Sequence, residues 1–431
     1  MHILIKNGRI IDPAQGLDKT GDVLIEDGKI ARIGQALKET KQMFIMSAEG
    51  KIVTPGLIDM HAHLREPGRE DKETIKSGLT AAIAGGYTTV CAMPNTEPPC
   101  DSQAHVKFLF ERAIEAKMAN ILPVGTLTKG RKGERIAELG ELKGSGCLAA
   151  SDDGDSLDSA ELMRRVLEYA SMVDILVISH CEDKALVSEG VMHEGYWSTV
   201  LGLEPIPAQA ESTIVERDIR LAALAGARLH IAHVSAAESV EVIREAKRRG
   251  VQVTAEVTPH HFTLTDEALK TFDANLKVNP PLRSASDVEA LKKGLGDGTI
   301  DVIATDHAPH LESEKQTELN HAPFGIIGLE TALSLAVEEL IDKGYLDWPG
   351  LVRKMSSNPA AILKCNGGSL REGAAADITI IDPEKKWTYD KKKIRSRSCN
   401  SPFIGRCMKA AVTDVVVGGR VVLAGGEIAG K

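Results

Sequence analysis

Through the middle of the chain, short apolar runs alternate with longer stretches of mixed polarity, the runs having the length of strands and the stretches that of helices. Eight such runs stand at residues 57–60, 87–93, 120–125, 146–150, 175–179, 228–232, 251–257 and 300–304. A parallel strand pair needs a crossover, usually a helix, so this alternation predicts parallel βα units. The stretches between carry helix punctuation: Asp101-Ser102 stands before one, and Gly250 closes the stretch 235–249. Eight units in succession predict a (β/α)8 barrel of the TIM type. An open doubly wound sheet shares the alternation but normally places a glycine-rich phosphate turn after an early strand, and neither GxGxxG nor GxxxxGKS/T occurs.

Both ends of the chain follow a different rhythm. Residues 3–11 and 22–33 alternate or cluster β-formers around Asn7-Gly8 and Asp27-Gly28, which are hairpin signals, and so predict short antiparallel strands. Residues 377–382 and 412–423 are again rich in Ile and Val, the second run being broken at Gly418-Gly419. The expected organisation is a small β domain built from residues 1–53 and 370–431, with the barrel spanning 54–369. There is no internal repeat of fixed period and no low-complexity tract.

Composition narrows the function classes. At 43% hydrophobic and 26% charged residues, the 431-residue chain has ample apolar side chain for a large core, which argues against disorder. Its net charge of −9 argues against nucleic acid as a partner, because phosphates need a basic face. An anionic substrate must then be held by a few local cations. No apolar run approaches the roughly 20 residues of a membrane span, and the first ten residues lack the apolar centre of a signal peptide, so a cytoplasmic location is expected. Seven cysteines without a CxxC pair read as reduced thiols, and Cys181 as a packing residue.

Candidate chemistry gathers where the strand runs end. In Asp59-Met60-His61-Ala62-His63 the two imidazoles are two residues apart, and in an extended chain such positions project to the same side, so both can face one metal ion. Asp153, His180, His233 and Asp306 each stand directly after a later strand. Singly they have plainer readings: Asp153 or Asp152 as a helix cap, His233 as a hydrogen-bonded core histidine, Asp306 as a turn former. Jointly they stand at corresponding strand ends, which share one face of a barrel, the face where this fold builds its sites. Four histidines and two carboxylates suit two divalent ions of the zinc type. His105, His193 and His230 read instead as helix-surface, loop and strand residues.

Longer motifs carry a resemblance to a known family. The runs Gly56-Leu57-Ile58-Asp59-Met60-His61-Ala62-His63-Leu64-Arg65-Glu66-Pro67-Gly68 and Ala304-Thr305-Asp306-His307-Ala308-Pro309-His310 resemble the two signatures of the dihydroorotase family within the amidohydrolase superfamily. Met93-Pro94-Asn95-Thr96, Val278-Asn279-Pro280-Pro281-Leu282-Arg283 and Ala322-Pro323-Phe324-Gly325-Ile326-Ile327-Gly328-Leu329-Glu330 fit the same family, in its longer bacterial (class I) form. The resemblance implies two zinc ions per chain, one held by His61, His63 and Asp306, the other by His180 and His233, with Asp153 bridging. It implies further that Arg65, Asn95 and His310 grip a substrate carboxylate, and that Asn279 and the backbone at Phe324-Gly325 touch the ring, with His63 bordering the substrate as well. Many relatives bridge their metals with a carbamylated lysine. Here the strand leading to Asp153 ends in Ala149-Ala150-Ser151, and the nearest preceding lysine, Lys143, falls before it, which favours an Asp bridge. The partners implied are a small-molecule substrate, dihydroorotate or N-carbamoyl-L-aspartate, and a second copy in a homodimer, with association with an aspartate transcarbamoylase left open.

Opening a ring amide near neutral pH requires an activated water, and zinc lowers the pKa of water to about 7. Asp306, the expected catalytic residue, takes the water's proton and delivers it to the departing ring nitrogen, base first and then acid. Arg65, two residues past His63, can aim a guanidinium into the same mouth, where it matches a carboxylate with two parallel hydrogen bonds. Its plainer reading is an ion pair with Glu66 or Glu70. Residues 311–321 form a polar stretch between two motifs, either a lid or a surface loop. Two alternatives stand beside this reading. A hydantoinase or allantoinase keeps the metal ligands but needs no carboxylate clamp. A non-catalytic partner of aspartate transcarbamoylase loses ligands, whereas all six candidates are present.

Overall fold

The structure of the chain, a computed structural model, describes residues 2–429. Eight parallel strands form the central sheet: Leu57–Ala62, Tyr87–Ala92, Asn120–Gly125, Ala149–Ala150, Leu176–Ser179, Leu229–Ile231, Val253–Val257 and Val302–Ile303. They stand side by side in chain order. The first and last meet through His307, which pairs in parallel with both Ala62 and Ile326. His63 N donates to His307 O at 2.8 Å, and Thr305 donates through its amide and its hydroxyl to the Asp59 carboxylate. The sheet is therefore curled into a nearly closed (β/α)8 barrel, each strand falling on a run that the alternation predicts.

These runs are mostly apolar because barrel strands are buried on both faces. Ile58, Met60, Val124, Ile178 and Val302 fill the inside, while their neighbours Leu57, Ile121, Val177 and Ile303 pack outward into the main core under the helices. Ser102 precedes the helix Gln103–Ala116, and Gly250, in the left-handed region at φ +77°, follows Ala237–Arg248. Among the described residues no helix is long and apolar enough to cross a membrane.

The ends of the chain join in a separate nine-stranded sheet. Its amino-terminal part is His2–Asp12, Leu17–Glu26, Lys29–Gly34, Met43–Ser47 and Ile52–Pro55; its carboxyl-terminal part is Ile378–Thr388, Cys407–Val417, Arg420–Ala424 and Glu427–Ile428. Ile52–Pro55 and Ile378–Thr388 pair antiparallel and stitch the two parts together. The expected turn at Asp27-Gly28 forms, and the break at Gly418-Gly419 is a turn as well; all four residues have positive φ, and each pair joins antiparallel neighbours. Asn7-Gly8 does not turn the chain. It is a bulge within one long strand, where the register against Leu17–Glu26 slips between Ile5 and Gly8. Asn7 takes φ +60° there and its amide donates to Asp22 Oδ1 at 2.9 Å, so the positive φ that a hairpin would have used is spent on a side-chain contact across the sheet.

The chain passes from sheet to barrel at Gly56. A Cβ at this position would lie 2.0 Å from Thr88 Oγ1, with the buried Thr88 side chain unable to withdraw. Gly56→Ala is accordingly expected to cost about 1–3 kcal/mol, seen as a lower thermal unfolding midpoint, with Thr88→Ala restoring part of the loss. An unchanged midpoint would show that the junction has slack. At the other end, the segment between Ile378–Thr388 and Cys407–Val417 runs back over the barrel. Tyr389 and Phe403 pack there with Val278 and Ile327, and Asn400 Nδ2 donates to the carbonyls of Ala308 and Gly325 at 3.0 and 3.1 Å.

Candidate metal centre

Six side chains meet at the carboxyl ends of the barrel strands. His61 is on the first strand and His63 just past it; His180 directly follows the fifth strand, and Asp153, His233 and Asp306 lie two or three residues beyond the fourth, sixth and eighth. All six are buried. Asp153 is central: its Oδ1 is 3.2 Å from His61 Nε2, 3.5 Å from His233 Nε2 and 3.6 Å from His180 Nδ1, and its Oδ2 is 3.4 Å from His63 Nε2. Asp306 Oδ1 is 3.0 Å from His63 Nε2 and 3.6 Å from His61 Nε2. Asp152, its neighbour's rival in the sequence, is turned away and accepts from Leu127 N, Thr128 N and the Thr128 hydroxyl.

The donor set fits a metal. Two groups, His61 with Asp153 and His233, and His61 with His63 and Asp306, each bring their ligand atoms within 4.8 Å of one another. His61 Nε2 and Asp153 Oδ1 are buried without an aligned hydrogen bond, which is costly unless a further group satisfies them. Burial opposes ionisation of Asp153, but His61, His180 and His233 more than offset it and hold the carboxyl well below its ordinary range. Backbone strain marks the same place. Arg65, His233 and Asp306 adopt φ of +60°, +31° and +47°, a region that costs a non-glycine residue about 1–3 kcal/mol and persists where the surroundings impose it.

Beside the candidate metal ligands lies a cationic corner. Arg65 Nε donates to Pro309 O at 3.2 Å, and its Nη2 is 3.4 Å from His310 Nε2. Neither candidate acidic neighbour pairs with it: Glu66 takes Arg112 Nε at 2.7 Å and Ile75 N at 2.8 Å, and Glu70 takes Gly68 N. Loss of solvent pushes the Arg65 guanidinium down to about 10, so it remains charged at neutral pH. Burial, followed by Arg65, Lys72 and Lys315, pushes His310 down to about 2, so its imidazole is neutral. Asn95 Oδ1 is 2.7 Å from His63 Nδ1, and its Nδ2 lies beside Gly154. Gly325, at φ +119°, brings the backbone against this corner; a Cβ there would lie 2.7 Å from Ala308 Cβ and 3.4 Å from His310 Nε2. The Lys277 ammonium lies over the Phe324 ring, 4.5 Å from its centroid.

Several partners are not visible from strand-end spacing. Glu256, on the inward face of Val253–Val257, takes His61 Nδ1 at 2.6 Å and His230 Nε2 at 3.1 Å, which gives the strand histidine His230 a place in the support of the site. A carboxylate inside a buried barrel strand was the available signal. Glu182, two residues after His180 as His63 is after His61, takes His180 Nε2 and Asn279 Nδ2. Residues 311–321 contain a short helix, Glu312–Lys315, whose buried Lys315 Nζ donates to Ala274 O at 3.0 Å and Pro323 O at 2.7 Å. All seven cysteines are free, and burial pushes the Cys181 thiol well up, as a packing residue requires.

Comparison with known proteins follows the same lines. Residues 50–239 match the family described as dihydro-orotase-like. A protein named dihydroorotase from Citrifermentans bemidjiense is 54% identical over 422 residues, 98% of this chain and 99% of the relative. Another of that name, from Pelotomaculum thermopropionicum, is 54% identical over 423 residues, with 98% and 99% coverage. Among solved structures, an L-hydantoinase (dihydropyrimidinase) from Arthrobacter aurescens superposes with a TM-score of 0.90 at 24% identity, covering 100% of this chain and 97% of that one, a likeness of fold.

Proposed function

The chain belongs to the dihydroorotase family, and from that premise we infer that it catalyses the reversible hydrolysis of (S)-dihydroorotate to N-carbamoyl-L-aspartate, a step of pyrimidine synthesis. The observation that carries the substrate side is Arg65, a guanidinium beside the metal ligands with no carboxylate partner among the described residues. A substrate carboxylate supplies that partner, and neutral His310 and the Asn95 amide group add hydrogen bonds to it.

The six ligand candidates are read as holding two ions of the zinc type: His61, His63 and Asp306 for one, His180 and His233 for the other, Asp153 between them. Such ions, when bound, lower the pKa of water and polarise a carbonyl. Asp306 then accepts the water's proton as oxygen adds to the ring carbonyl, and returns it to the ring nitrogen as the carbon–nitrogen bond breaks. Asn279 and the backbone at Phe324-Gly325 border the ring.

A substrate comparison tests this reading. A site built to pair with a carboxylate is left with unpaired donors when the group is missing, so dihydrouracil should turn over about 10⁴- to 10⁵-fold more slowly than dihydroorotate. Comparable rates would favour a hydantoinase-like activity.

Proton balance gives a second expectation. Carbamoyl aspartate carries two carboxylates and dihydroorotate one, so ring closure consumes a proton. The equilibrium ratio of open to closed form should therefore rise about tenfold per pH unit, acid favouring closure and base favouring opening. Chromatography of mixtures equilibrated with the enzyme measures this ratio, and a ratio independent of pH would mean that another bond is being cleaved.

A further inference from the structure

Glu182 lies three residues beyond the fifth barrel strand, and its amide donates to Ser156 Oγ at 2.8 Å, which ties its turn to the loop that carries Asp153. One of its carboxylate oxygens, Oε2, receives two hydrogen bonds, from His180 Nε2 at 2.9 Å and from Asn279 Nδ2 at 2.5 Å. A carboxylate can only accept, so both partners must present N–H to it. Two orientations follow. His180 carries a proton on Nε2 and turns Nδ1 toward His233 Nε2, 2.9 Å away, and Asp153 Oδ1, 3.6 Å away. Asn279 gives its amide group to Glu182 and keeps its carbonyl oxygen free to accept, with no donor to that atom among the described residues.

We propose that Glu182 is a positioning and specificity residue that sets the His180 tautomer and the Asn279 amide orientation together, so that the substrate meets a hydrogen-bond acceptor at residue 279. The ligand matched to that acceptor is the N–H of a cyclic ureide. A single shared oxygen also couples the two sides of the site, because a change at Glu182 releases a metal-ligand candidate and a ring contact at once. The substrate's identity rests on the dihydroorotase reading; the tautomer does not.

Two measurements test it. With histidine labelled with nitrogen-15, long-range proton–nitrogen spectra should show His180 protonated at Nε2 in the unaltered chain. Glu182→Ala should abolish that single tautomer, and Glu182→Gln, whose carbonyl oxygen can face both donors, should keep it. In kinetics, Glu182→Ala and Asn279→Ala should each raise KM for dihydroorotate about tenfold, and the double variant should also stay near tenfold, since the second change removes a contact the first has released. Glu182→Gln should lie close to the unaltered chain. Effects that multiply in the double variant, or an unchanged His180 tautomer in folded Glu182→Ala, would overturn the proposal. If the unaltered chain fails to turn over dihydroorotate, the functional reading falls and the tautomer result alone decides the role of Glu182.

Discussion

Asp306→Asn and Asp306→Ala are expected to fold and to lose about 10²- to 10⁴-fold in rate from the missing proton transfer alone, with weaker metal retention adding to the loss. Asp306 is placed for this role by the strand that ends at Ile303, and its Oδ1 lies 3.0 Å from His63 Nε2. Burial opposes its ionisation, but His63, His61 and His233 more than offset that and hold the carboxyl below its ordinary range, so it starts as a base. The Asn variant is the more telling of the two. At φ +47° a residue must tolerate the left-handed region, which Asn does better than Ala, so a loss in Asp306→Asn reflects the missing carboxylate and not the backbone. Opening and closure should fall by the same factor, since one residue serves both directions. Rates near normal in both directions, in a folded and metal-loaded variant, would send the search for the base elsewhere in the site.

Removing Asp153 should have an effect as large on a different quantity. Asp153→Ala takes away the carboxylate that approaches four imidazoles, those of His61, His63, His180 and His233, at 3.2 to 3.6 Å. Of the two candidate carboxylate ligands only Asp306, beside His61 and His63, then remains, and His180 and His233 lose theirs. Metal content and turnover should fall together, turnover by more than about 10²-fold, because even groups one step removed from a metal commonly cost 10- to 100-fold. Metal analysis of the purified variant beside a dihydroorotate assay checks both. Full metal content with full activity would remove Asp153 from the bridging role. Because Asp153 and Asp306 sit around the same two histidines, their effects are not expected to add.

The supporting residues were less legible than the ligands, for a reason that particular pairs make plain. His61 and His63 are two positions apart on one strand, and that spacing alone turns both toward the same mouth. Glu256, which holds His61 Nδ1, is 195 residues away from it. Nothing local relates the two; they meet because the first and seventh strands both face the inside of the barrel. Arg65 shows the same limit in reverse. Glu66 and Glu70 are its neighbours in the chain, yet Glu66 is taken by Arg112, 46 residues on, and the guanidinium is left without an acidic partner among the described residues.

What the sequence determined by itself was what depends on short range: eight strand runs, the parallel βα alternation and the placing of His and Asp at strand ends. These follow from side-chain polarity and spacing within a few residues, and burial of barrel strands on both faces makes the runs mostly apolar. Tertiary structure decided the rest. It closed the sheet through His307 and Asp59, drew the two termini into one nine-stranded sheet, made a bulge of Asn7-Gly8 because Asp22 lay opposite, and gave Glu182 and Glu256 their partners. A hydrogen-bond donor or acceptor has its strength written in its residue type, but its partner is chosen by which distant strands the fold sets side by side.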